Sequence, residues 1–171
     1  RNANDDVSDT NVRSSAESLV TLFKAYSQAL DKAESTLTDK LKEDVKSVNT
    51  MLEEIRDLNV QIREANIYGD SALELRDARN VLIDELSSHM KIDVRYSMEK
   101  IDEHKEVEKL TITIADSGYP PIKLIDGIYG AQLSMNDTTA MRNPNYDPED
   151  PVGMKYMGID GKPTDIERLA K

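Results

Sequence analysis

From Leu19 to Ile62 the apolar residues fall on one helical face, and no glycine or proline interrupts them. Leu19, Phe23, Tyr26, Leu30, Ala33 and Leu37 alternate steps of four and three, the spacing of a coiled-coil seam. Steps of four through Leu41 to Val45 form a stutter, which locally unwinds a left-handed supercoil. Val48, Leu52, Ile55, Leu58 and Ile62 then resume the stripe. Ser14 followed by Glu17 offers a capping box for the start. Unbroken to about Tyr68, such a helix is roughly 80 Å long. Ser35, Thr36 and Thr38 are weak helix formers and leave room for a break.

Gly69 stands where a left-handed C-cap is needed, and Asp70 leads into a second capping box, Ser71 with Glu74. Leu75, Ala78, Leu82 and Leu86 line one face of the helix that follows, while Arg76, Asp77, Arg79 and Asp84 point elsewhere. So short a connection makes the two helices antiparallel neighbours. Ile62 should then face Leu75, Leu58 face Ala78, Ile55 face Leu82, and Leu52 face Leu86. The second helix is too short to cover the seam before Leu41. Later β structure, missing segments or another molecule must do so.

Near Met90 the hydrophobic period changes from helix to strand, because Ile92, Val94, Tyr96 and Met98 occupy every second position. The charged stretch EKIDEHKEVEK, residues 99 to 109, reads as a long hairpin tip. Leu110, Ile112 and Ile114 alternate again, DSGYPP at 116 to 121 is a turn, and Ile122, Leu124 and Ile125 make a third strand. Residues 136 to 152 include the acidic, proline-rich NPNYDPEDP and read as a mobile segment. The fold class is therefore α+β: an elongated antiparallel helical hairpin followed by a small antiparallel β meander. Residues 1–91 form a helical part and 92–171 a β-rich part.

Composition excludes several functions. A net charge of −11 offers no basic stripe for phosphates, so nucleic acid is not a partner. No apolar run approaches the roughly 18 residues of a membrane span. Cysteine is absent, which removes disulfides and thiolate metal sites. His89 and His104 lack a supporting ligand cluster, and NYDPEDP lacks EF-hand spacing, so neither metal nor cofactor is expected. Asn136-Asp137-Thr138 matches a glycosylation sequon, a pattern common by chance. No nucleophile elbow or phosphate-cradling loop is present, and catalysis is not expected. Arg79 is either a solvated surface residue or reaches Asp57 or Glu54 across the hairpin.

The central third resembles the flagellar hook-associated protein 1 family. The residues that carry the resemblance are Leu58-Asn59-Val60-Gln61-Ile62, a short glycine-containing break, and Asp77-Ala78-Arg79-Asn80-Val81-Leu82-Ile83-Asp84-Glu85-Leu86. Ile92-Asp93-Val94 and the meander LTITIADSGYPPIKLIDGIYGAQL follow in the family's order. Gln61, Asp77, Arg79 and Glu85 are the motif positions, and Asn80 departs from the usual Asp. The resemblance implies a structural adapter at the junction of hook and filament. It implies an inner helical domain with an outer β-rich domain inserted, export by the flagellar secretion apparatus and an extracellular location. Self, the hook protein and the second junction protein are the implied partners, with an export chaperone binding through segments outside this chain. The chain itself, read as a central fragment with an acidic surface, is expected to be a monomer. Three rivals stay open: another axial flagellar protein, an extracytoplasmic coiled-coil binding module, and a scaffold carrying an inserted hydrolase domain.

Overall fold

The computed structural model describes residues 3–103, 105–135, 154–160 and 162–165 of the chain. Helix α1 spans Ala3–Ile67 and helix α2 spans Leu73–His89. Strands follow at β1 Ile92–Lys100, β2 Glu106–Ile114, β3 Lys123–Asp126, β4 Tyr129–Gly130, β5 Gln132–Met135, β6 Met154–Met157 and β7 Pro163–Asp165. Residues Arg1–Leu41 form one compact unit and Lys42–Lys171 a second. His104, the sequon at Asn136 and the proline-rich stretch 143–151 lie outside the described residues, as does all of 136–152 expected to be mobile.

The expected cap at Ser14 does not form, because α1 begins earlier, at Ala3. No glycine or proline precedes Ser14 to stop the helix, and the Ser18 hydroxyl donates to the Ser14 carbonyl as in any helix interior. Nor does α1 break at Ser35 to Thr38, where the Thr36 hydroxyl donates to the Lys32 carbonyl at 2.9 Å. Weak propensity costs a few tenths of a kcal/mol per residue, too little to interrupt so long a hydrogen-bonded run. The far end is a Schellman cap: Asp70 N–H donates to Ala65 O, Gly69 N–H donates to Asn66 O, and Gly69 takes φ +86°.

The second capping box is also replaced. Ala72, with φ 51°, caps α2 without a side-chain bond, and the Asp70 carboxylate accepts from Ala72 N–H at 2.9 Å. Arg79 then reaches Asn59, and Arg76 reaches Asn66, the rising and falling order of an antiparallel pair. The buried face of α2 is rotated by about one residue from the expected stripe. Arg79, Ile83 and Leu86 are buried, Leu75 and Leu82 are half-buried, and Ala78 is exposed. The cause is the sheet: one core joins Val48, Leu52 and Ile55 of α1 and Ile83 and Leu86 of α2 to Leu110, Ile112 and Leu124 of the strands. The helix turns its apolar side toward both neighbours at once.

Met90, extended at φ −152°, ends α2, and β1 starts two residues later. The sheet order is β1-β2-β3-β4, with each neighbouring pair antiparallel, while β5, β6 and β7 form a second antiparallel sheet. The hairpin tip is shorter than expected, since β1 continues to Lys100 and β2 resumes at Glu106. Those charged residues extend the ladder because Val107 is 1% exposed and Leu110 1% exposed although they point to opposite faces of β2. Asn49 fastens β5 to α1, donating to Leu133 O at 2.7 Å and accepting from Leu133 N–H at 2.8 Å.

Leu86→Ala should destabilise the chain by about 2–5 kcal/mol in urea unfolding, whereas Ala78→Ser should stay within about 0.5 kcal/mol. Equal costs would show that Ala78 faces the core after all.

Candidate functional site

Two features stand out. The first is the apolar stripe of the Arg1–Leu41 unit. Leu19, Phe23, Tyr26, Leu30 and Leu37 are 52%, 64%, 61%, 70% and 67% exposed. In the second unit the same spacing gives Val48, Leu52 and Ile55 at 4%, 1% and 0%. Covering a large apolar side chain is worth about 1.5–3 kcal/mol, so the stripe is a surface with much to gain from a partner.

The second feature is a buried charged junction in the Lys42–Lys171 unit. The Arg79 guanidinium donates to Asn59 Oδ1 of α1 at 2.8 Å and to Glu108 Oε1 of β2 at 2.6 Å. Its carbon lies 5.4 Å from the centre of the Tyr96 ring on β1, within cation–π range. Arg76 pairs with the other Glu108 oxygen and with Asn66 Oδ1. Asn59 in turn donates to Gly127 O at 2.8 Å, in the turn before β4, where Gly127 takes φ +64°. Four elements thus meet at the Arg79 side chain, itself 3% exposed, and the turn joins them through Asn59. Arg79 Nε has no acceptor among the described residues, a cost that the other contacts offset.

Electrostatics keep the junction charged. Burial alone pushes the Glu108 carboxyl up, but hydrogen bonds and the positive charges of Arg79 and Arg76 outweigh it and hold the pKa below the usual carboxylate range. Asp126 behaves likewise: burial raises it, and Lys109 and Lys123, both within hydrogen-bonding reach, lower it further than burial lifts it.

Of the expected seam residues, Leu52, Ile55, Ile62 and Leu86 are buried, Leu58, Leu75 and Leu82 are half-buried, and Ala78 is exposed. Of the motif positions, Gln61, Asp77 and Glu85 are exposed, and only Arg79 is buried. Arg79 reaches Asn59 and Glu108, not Asp57 or Glu54, because α2 turns it toward the sheet; Asp57 instead pairs with its neighbour Arg56. Glu108 is not legible as a partner in the sequence, since it sits in a run of charges with no apolar period. His89 lies 3.9 Å from Asp44, and among the described residues no group of three or more candidate ligands could hold a metal ion. No described helix is long and apolar enough to cross a membrane.

The arrangement defines a helix-led structural domain whose β hairpin is fastened by an ion network. The chain belongs to the flagellar hook-associated protein family: the model for the FlgK helical domain matches residues 1–156. A curated relative, flagellar hook-associated protein 1 of Bacillus subtilis (strain 168), is 31% identical over 96 residues, covering 56% of this chain and 19% of the relative. The chain therefore aligns with about a fifth of that relative's length. No solved structure matches.

Arg79→Met should cost about 3 kcal/mol, because it removes one partner from a mostly buried carboxylate, while Arg79→Met combined with Glu108→Leu should recover much of that loss. Chemical unfolding of the two single variants and the double variant checks this; additive losses would mean that the pair is not coupled. The lowered pKa values also set a pH dependence. The stability they contribute is complete above the unfolded carboxylate values of about 4 and is lost as pH falls through the lower native values. Glu108→Gln should flatten the acid limb of a melting-temperature profile, and an unchanged limb would count against the network.

Proposed function

We propose that this chain is a segment of a structural protein of the hook–filament junction of the bacterial flagellum. The observation that carries the reading is the exposed stripe Leu19, Phe23, Tyr26, Leu30 and Leu37 on a long helix. An exposed stripe with a coiled-coil repeat is suited to packing lengthwise against other helices. Family membership and the name of the Bacillus subtilis relative support the same reading. In it, the neighbours are further copies of the protein, the hook protein and the second junction protein, and the parent is exported by the flagellar secretion apparatus to an extracellular site with the help of an export chaperone. The role is mechanical and not enzymatic. Residues 1–91 then belong to the inner, axial part and 92–171 to the outer part.

A coiled-coil binding module is the second reading, because the same exposed stripe would also serve a dimer. Light scattering after size exclusion separates the two: a stable dimer at micromolar concentration favours the module, and a monomer favours the junction segment.

Phe23→Ser with Leu30→Ser should leave the stability of the isolated chain within about 1 kcal/mol, since neither side chain is buried. The same pair in the full-length parent should abolish rescue of motility in a strain lacking it. Full rescue would sink the assertion that the stripe is an assembly surface.

A further inference from the structure

The first sheet has a face turned away from Ile112 of the core, and part of that face is hollow. Asp93 and Arg95 of β1 stand directly opposite Thr113 and Thr111 of β2, so the four side chains share it. Lys123 of β3 joins them opposite Thr113, because the register shifts between Ile112 and Thr113; in an unbroken ladder Leu124 would take that place. The turn from Asp116 to Pro121 closes one end. It is fixed by Ile114 N–H donating to Ile122 O at 2.9 Å and by the buried Ser117, whose hydroxyl accepts from Ile122 N–H at 3.1 Å. Strands and turn together line a cavity of about 270 Å³.

A polar outer face needs no ligand by itself, since antiparallel sheets commonly turn one side to water. The charges on this one are uncommitted. Arg56, Arg63, Arg76 and Arg79 each hold a carboxylate, whereas Arg95 holds none among the described residues. Asp93, two residues away on the same face, is likewise unpaired among them, and so is Asp116 in the turn. The hydroxyls of Thr111 and Thr113 between these charges have no partner there either. Lys123, by contrast, is already paired with Asp126.

Complementarity limits what such a cavity can hold. A guanidinium fork takes a carboxylate through two parallel bonds, and a carboxylate takes an ammonium. A simple anion would meet Asp93 and Asp116, and a simple amine would meet Arg95. One small molecule carrying both charges satisfies both sides. The volume lies just below the roughly 300–1,000 Å³ of sites for larger ligands, which suits a molecule of amino-acid size. We infer that this cavity binds a free amino acid, with its carboxylate on Arg95, its ammonium on Asp93 and the two threonine hydroxyls between them. Asp116 is left over and favours a basic side chain.

Nitrogen-15 NMR of the whole chain tests this with L-lysine, glycine and L-glutamate as probes. The amide signals of Thr111, Thr113 and Lys123 should shift saturably, with lysine binding most tightly and glutamate least. L-lysinamide lacks the carboxylate and Nα-acetyl-L-lysine lacks the α-ammonium, so each should bind about tenfold or more weakly than lysine, the worth of one charged hydrogen bond. Arg95 and Asp93 are both exposed, so their replacement should leave the rest of the spectrum unchanged. Arg95→Gln should weaken lysine binding by a similar factor and no longer distinguish lysine from lysinamide. Asp93→Asn should no longer distinguish lysine from its acetyl derivative. No saturable shift with lysine up to about 50 mM, beyond the millimolar range of weak binding, would overturn the inference. Lysinamide binding as tightly as lysine, or lysine binding unchanged in Arg95→Gln, would do the same. Phosphate giving the same shifts at lower concentration would overturn it in favour of a plain anion site.

Discussion

The guanidinium of Arg79 is the contact on which the Lys42–Lys171 unit depends. A helix and a sheet normally meet through apolar side chains, and here Leu52, Ile55, Leu86, Ile112 and Leu124 supply that layer. Apolar packing does not direct one element to a single place on another, because its energy changes little with small sliding. A fork of N–H donors has fixed directions. Asn59, Glu108 and the Tyr96 ring each take one side of it, so α1, β1 and β2 are referred to the same point on α2. The cost of burying charge is met by close pairing, with Arg76 sharing the Glu108 carboxylate.

Two asparagines on α1 extend this logic along the helix. Asn49 binds both backbone groups of Leu133, as a neighbouring strand would, and Asn59 holds Gly127 O while accepting from Arg79. Carboxamides offer a donor and an acceptor on one short stem, so they can bridge a helix to irregular backbone that the helix's own bonds cannot serve. β5 and the turn before β4 are thereby tied to α1 through side-chain bonds to their backbone.

A single apolar repeat in α1 is buried along one stretch and exposed along another. Val48, Leu52 and Ile55 are spent on the domain's own core, while Phe23, Tyr26 and Leu30 remain exposed. The difference lies in what stands opposite each stretch, because a helical stripe has the same attraction for any apolar surface. Under the proposed junction role, keeping that part of the stripe uncovered preserves a surface for a neighbour, since closing it internally would remove it.

The stripe of α1, the Gly69 cap, the antiparallel sense of α2, the passage to strand at Met90 and the three-strand core of the meander are all legible in the amino-acid sequence. They follow from local periodicity and turn chemistry, which act over a few residues. The motif around Arg79 is visible as a pattern, but its role is not. Which way Arg79 points depends on a rotation of α2 by about one residue, and that rotation is set by the sheet lying against it. The same holds for Glu108 and for the two capping boxes that do not form. Ser14 and Ser71 carry the right local signal, and a helix that starts earlier and an Asp70 carboxylate that reaches Ala72 first decide against it. Local sequence determines which elements exist and roughly where they end, because those choices are made by neighbouring residues. Only the tertiary structure decides which polar groups meet, since their partners lie tens of residues away and are brought within hydrogen-bonding distance by the packing of the core.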